Sequence, residues 1–338
     1  FDELGRLMRQ IGAASQTTSF AYDRTDLLTS VTDPRSNLYS YAYDALQRLI
    51  RTTDQVSAQV NLTRDGQDNI TAYSDPRSLV TSYVRNGFGE VIQEQGPDVG
   101  TAVIVRDARG LATQVTDPRG IVINMTYDNA GRLLTESYPS ATTQNVTYTY
   151  DAIAGGNKGK GRLTGMTDGS GSTARVYDAL GRISTETRVI AGKSYVTSYG
   201  YNAADRLTTI TYPSGRIVTY ARNSLGKVTS VTTQKNGTAA IDTVVSGIGW
   251  KPMANLITGM TYGNGLVMGA SYDNDYRLTT MTLMNGATPV ISLSYGYADA
   301  LNLTAINDNV TSANSVSLWY DQARRLQNAN GPWGAATY

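Results

Sequence analysis

The chain has 338 residues, is 40% apolar and only 17% charged, and carries a formal net charge of +1. It has no Cys and no His, which excludes disulfides, thiol chemistry and the commonest general base and transition-metal ligand. Lys and Arg are scattered with no basic face, which argues against a nucleic-acid partner, and no run of about 18 apolar residues offers a membrane-spanning helix.

In chain order, the predicted elements repeat from the first residue. FDELGRL opens the chain at Phe1–Leu7, and YDALQRL follows at Tyr43–Leu49, YDNAGRL at Tyr127–Leu133 and YDALGRI at Tyr177–Ile183. The acidic position falls at Asp2, Asp23, Asp44, Asp65, Asn86, Asp107 and Asp128, always 21 residues apart. Looser spacing carries it on through Asp151, Asp178, Asn202, Asn223, Lys251, Asp273, Ala298 and Asp321. A fixed period marks a repeat architecture, in which neighbours share one continuous structure. We therefore expect a single array over residues 1–338, of about fifteen repeats of roughly 21 residues, cut at both ends inside the array.

Each repeat holds two short strands and two turns. In residues 206–226, Leu207–Tyr212 is rich in Thr, Ile and Tyr, which suit a half-buried pleated surface. Pro213-Ser214-Gly215 is turn chemistry, a second strand-like run follows, and Asn223 to Gly226 places Asn first and Gly fourth, as a type I turn prefers. The structural motif is thus Tyr43-Asp44, Tyr127-Asp128 with Gly131 and Arg132, Tyr177-Asp178 with Gly181 and Arg182, and Tyr272-Asp273. Tyr ends a strand, Asp starts the turn, Gly permits the bend and Arg leads into the next strand. Tyr and Arg flank one turn and are expected to stack or pair across it. Asp33-Pro34, Asp75-Pro76 and Asp117-Pro118 recur every 42 residues, with Pro213 at the matching offset. They suggest a double-length unit with proline turns on the opposite border, and Gly66 and Gly96-Pro97 as breakers in between.

The expected fold is all-β: a long antiparallel meander of about thirty strands that curls into a spiral, hollow shell or ribbon. At ~4.8 Å per strand such a sheet is roughly 140 Å wide, and open sheets rarely exceed about ten strands without curling or splitting. In Ile121–Tyr127 one face is strongly apolar and the other mixed, so both faces are expected to be partly covered.

The repeated Tyr-Asp-Ala-Leu-Gly-Arg-Ile signature resembles the RHS/YD repeat, the rearrangement-hotspot or tyrosine-aspartate repeat, over essentially the whole chain. The resemblance implies a β-ribbon that spirals into a hollow shell. In bacterial polymorphic toxins and insecticidal toxin complexes such a shell encloses a C-terminal toxin; in teneurin-like animal proteins a similar barrel serves adhesion. The expected role is containment without catalysis, as a bacterial segment secreted or displayed at the cell surface within a larger polypeptide. The implied partners are an enclosed cargo or neighbouring RHS segments. An adhesive or filament-forming protein that binds carbohydrate or protein ligands is the alternative, and a glycoside hydrolase a weaker one, because no Asp/Glu pair stands apart from the repeat. No cofactor or metal is expected. Recurrent turn Asp residues lack the dense spacing of a calcium loop, and Gly155–Gly161 reads as an inserted surface loop rather than a phosphate loop. Shell-forming relatives also end their repeats in a core segment with a self-cleaving DPxGL-type motif. Asp117-Pro118-Arg119-Gly120-Ile121 resembles it, but lies in phase with two other Asp-Pro turns and reads as a turn.

Overall fold

The computed structural model describes residues 1–12, 15–298, 302–321 and 324–338. Thirty strands are present among them, with three single-turn 3-10 segments at Thr142–Gln144, Ala154–Gly156 and Ser312–Asn314 and no α-helix. The fold is all-β and antiparallel. The chain divides into two compact units.

The first unit comprises Phe1–Thr63, Tyr73–Leu79 and Val245–Tyr338. Its N-terminal strands Thr17–Tyr22, Leu28–Thr32, Leu38–Tyr43 and Leu49–Thr53 pair in chain order. Its C-terminal strands from Ile257–Tyr262 to Asn302–Asp308 do the same. The second unit comprises Arg64–Ala72 and Val80–Val244, and runs as one meander from Val80–Arg85 to Val228–Gln234.

Register slips at one recurring place. The ladder bulges between Ala42 and Tyr43, Thr126 and Tyr127, Val176 and Tyr177, and Ser271 and Tyr272. Each slip sits just before a Tyr-Asp turn, where a type I turn followed by a left-handed residue inserts one extra position into the hairpin.

In Val146–Tyr150 the side chains of Val146, Tyr148 and Tyr150 are half-buried, while Thr147 and Thr149 are exposed. The tyrosine face is thus the more sheltered one, but neither face is deeply covered. No large side chain is fully buried among the described residues, and the buried apolar set is Tyr177 and Ala329. The accessible surface is 20404 Å², against about 13,500 Å² for an ordinary folded monomer of this mass. Most stabilisation therefore falls to the backbone ladder, to side-chain pairs within each face and to the turns at the strand ends.

Candidate functional site

One turn shows how the border is built. The Gly181 N–H donates to the Asp178 carbonyl at 2.9 Å, and the Asp178 N–H to the Arg182 carbonyl at 2.9 Å. Gly181 has φ +77°, a region open to glycine at no steric cost. One carboxylate oxygen of Asp178 accepts the N–H groups of Leu180 (2.9 Å) and Arg182 (3.0 Å), and the other accepts Arg182 Nε at 2.7 Å. Asp44 and Asp128 bind Arg48 and Arg132 in the same way, and Asp273 binds Arg277. Asp178 and Asp128 are held below the usual carboxylate range chiefly by the backbone N–H of the arginine four residues on; for Asp44 the Arg48 side chain leads. A carboxylate filled with donors stays ionised, so it is poorly placed to transfer protons.

The tyrosine closes a gap in the backbone. Tyr201 donates its hydroxyl to the Ile183 carbonyl at 2.9 Å, Tyr177 to Leu163 at 2.7 Å, Tyr127 to Ala112 at 2.8 Å, Tyr43 to Leu28 at 2.9 Å and Tyr272 to Ile257 at 2.9 Å. Each acceptor is the residue that opens its strand, two positions beyond the end of the pairing with the tyrosine's own strand, and would otherwise want a partner on that side. Where arginine replaces tyrosine, it makes the same bond: Arg85 to Ile70, Arg106 to Val91 and Arg222 to Leu207, each at 3.1 Å.

The expected stacking of Tyr and Arg across one turn is corrected by this geometry. Arginine reaches forward instead, onto the tyrosine of the following turn: Arg6 onto Tyr22, Arg132 onto Tyr150, Arg162 onto Tyr177, Arg182 onto Tyr201 and Arg277 onto Tyr297, at 4.5 to 5.6 Å from the ring centre. At Arg6, Arg132, Arg182 and Arg277 the Nε stays on the turn Asp while the guanidinium spans to the next ring. Arg132 also takes Asp151 at 2.6 Å, holding that carboxyl down to about 2, and Arg182 takes Asp205 at 2.6 Å.

The opposite border repeats the turn. Asp33, Asp75 and Asp117 each accept two backbone N–H groups on one carboxylate oxygen, and the fourth turn residues Ser36, Ser78 and Gly120 take positive φ. Pro34, Pro76 and Pro118 occupy the second position, where fixed φ suits the bend. Pro213 sits likewise in a turn opened by Tyr212. The double-length unit does not survive: Asp54 opens an equivalent turn, accepting Val56 and Ala58 N–H at 3.0 and 2.8 Å, with Ser57 at φ +65°. Gly66 lies not on this border but inside the Asp65 turn. The proline was the visible signal; the aspartate was the operative one. Of the turns after Ala298 and Asp321, residues 299–301 and 322–323 lie outside the described residues.

Within the first unit the two borders meet. Asp33 accepts the Arg324 guanidinium, and Gln16 donates to Asp275 at 3.2 Å. Burial works against the Asp33 charge, but Asn37, backbone N–H groups and Arg324 outweigh it and hold its pKa low. The enlarged loop between Asp151 and Arg162 is more than a surface insertion. Asn157 is buried, accepts the Tyr177 N–H at 2.8 Å and donates to the Arg175 carbonyl at 2.9 Å. It substitutes for a strand partner where the ladder ends. Among the described residues no three acidic side chains gather to hold a metal ion.

These features define an antiparallel repeat sheet whose borders are the organised part. The RHS repeat family model matches residues 1–38 and 22–55, and the teneurin YD-shell model matches residues 112–250. Residues 1–55 thus match RHS repeats and residues 112–250 a YD-shell. Its fold is that of solved TcdB2-TccC3: the TM-score is 0.80 at 14% identity, over 98% of this chain and 21% of that one. TcdB2-TccC3-Cdc42 gives 0.79 at 15% identity, and the Photorhabdus luminescens Tc holotoxin pore 0.77 at 15%, each over 94% of this chain and 19% of the other. The chain thus spans about a fifth of the solved chains it matches. No curated protein matches it.

Proposed function

We propose that this chain is a wall segment of an RHS/YD shell that encloses another polypeptide, a toxin or other cargo, and that it acts sterically and without catalysis. The observation that carries the reading is the sheet's lack of deep burial: among the described residues no large side chain is fully buried, yet both borders are heavily bonded. A sheet so made is suited to dividing two spaces. The likeness in fold to TcdB2-TccC3 supports it. The turn set of Tyr43, Asp44, Tyr127, Asp128, Gly131, Arg132, Tyr177, Asp178, Gly181, Arg182, Tyr272 and Asp273, with the Asp-Pro turns, serves as fold determinant. On this reading the array is continuous and secreted or displayed at the cell surface, with neighbouring RHS segments completing the shell. Protease protection tests it. In the natural full-length protein, a segment outside the repeats should resist digestion until the wall is denatured. Equal digestion before and after would overturn the reading.

The match to the teneurin YD-shell family favours one second reading, adhesion through the outer surface. Specific retention of the chain on a glycan array or on intact cells would support it.

A further inference from the structure

Six Tyr-Asp turns pair their arginine with the carboxylate that opens the same turn, each at 2.7 Å: Arg6, Arg48, Arg132, Arg182, Arg277 and Arg325. Arg206 holds the same position in a turn opened by Asn202. The Asn202 carboxamide oxygen accepts the N–H groups of Ala204 and Arg206 at 3.0 Å, as the carboxylates do, but it brings no charge. Arg206 then reaches forward to the Gly226 carbonyl at 3.4 Å, and that oxygen also accepts Arg222 Nη1 at 3.0 Å. Arg6, Arg132, Arg182 and Arg277 reach forward over a tyrosine; here the tyrosine position is Arg222. Arg64 holds that position after Arg48, but carboxylates are at hand there: Arg48 holds Asp44 and Arg64 lies 3.5 Å from Asp68. At Arg106, which also replaces tyrosine, the forward-reaching residue is Glu90, lying against Gly110.

Arg206 and Arg222 are therefore two guanidinium groups converging on one oxygen, between two turns opened by neutral Asn202 and Asn223. Neither makes an ion pair among the described residues, and the neighbouring Asp205 is held by Arg182 at 2.6 Å. Like charges so placed favour an anion between them. The third turn positions beside them are apolar: Leu180 is 63% and Leu225 77% exposed, with Ala204 between.

We propose that this stretch of the second unit's border, from Leu180 to Leu225, binds a carboxylate-bearing apolar peptide segment. One carboxylate bridges Arg206 and Arg222, and aliphatic side chains rest against Leu180 and Leu225. Carboxylate is the ligand this position takes elsewhere in the chain, twice over at Arg132, which holds both Asp128 and Asp151, and at Arg182, which holds Asp178 and Asp205. The planar guanidinium fork suits it.

Fluorescence anisotropy with a labelled Leu-Glu-Leu-Asp-Leu peptide tests the proposal, against its Leu-Gln-Leu-Asn-Leu counterpart. The acidic peptide should bind roughly tenfold or more tightly than the neutral one, and added salt should weaken it. Asn202→Asp supplies the missing carboxylate within the turn and should lower the affinity by a similar factor without lowering the melting temperature. Arg206→Gln should also lower it. Equal binding of the two peptides, or unchanged affinity in Asn202→Asp, would overturn the proposal. Displacement of the acidic peptide by inorganic phosphate at concentrations where acetate has no effect would overturn the carboxylate assignment.

Discussion

Arg182 stacks on Tyr201, its guanidinium carbon 4.6 Å from the ring centre, while closing its own turn through Asp178. One side chain thus fixes a turn and hands it to the next. Tyr201 in turn ties back to Ile183, the residue beside Arg182. Successive hairpins are locked along the border by a relay that no single repeat contains.

The relay is measurable. Tyr201→Phe removes the hydroxyl that serves the Ile183 carbonyl and should cost about 1 kcal/mol, read by urea unfolding. Arg182→Ala should lower the melting temperature. In a double-mutant cycle Arg182→Ala and Tyr201→Ala should be non-additive. Additive losses would mean the two side chains act separately.

The fourth turn position can be tested in both directions. Gly181→Val places a branched side chain at φ +77°, and its Cβ would run into the Arg162 guanidinium; the expected cost is about 2 kcal/mol. Gln47 adopts φ +64° without being glycine. Gln47→Gly should relieve strain and stabilise by about 1 kcal/mol. Thermal unfolding of the two variants should shift in opposite senses.

Acid should loosen the borders. Asp2, Asp44, Asp128, Asp178 and Asp273 all sit below their ordinary value of 3.8, and Asp151 near 2. A carboxyl depressed in the folded state adds stability above its unfolded pKa and loses it as pH falls through the folded value. The melting temperature should therefore hold steady above about pH 5 and fall steeply between about pH 4 and pH 2. Asp178→Asn should be less stable than wild type at neutral pH and converge with it in acid.

The meeting of borders in the first unit depends on Asp33 and Arg324. Arg324→Ala leaves a nearly buried carboxylate, 8% exposed, with fewer donors, and should cost about 2 kcal/mol. Asp33→Asn should cost less at low pH than at neutral pH, because the wild-type carboxyl is then losing its charge as well.

Much of this was legible in the sequence because the signal repeats. Asp44, Asp128, Asp178 and Asp273 announce turns by position, and alternation announces strands. What stayed hidden was contact between repeats. The spacing of Tyr177 and Arg182 suggests a pair, but the ring Arg182 lies over is Tyr201, which only the pairing of successive strands brings near. Asp54 was missed because proline draws the eye to Asp33, Asp75 and Asp117, although the aspartate carboxylate makes the turn. Asn157 gave no sign at all: its role exists only because the ladder with Leu163–Asp168 stops at Ala174, leaving Arg175 and Tyr177 unpaired on that side. Arg324 meets Asp33 only in three dimensions, 291 residues apart in the chain.

Electron cryo-microscopy of the natural full-length protein tests the central claim most directly. The account predicts a wall one strand-layer thick in this region, with separate polypeptide density enclosed behind it. A second sheet or helical layer packed onto this one, or an interior holding solvent alone, would contradict it.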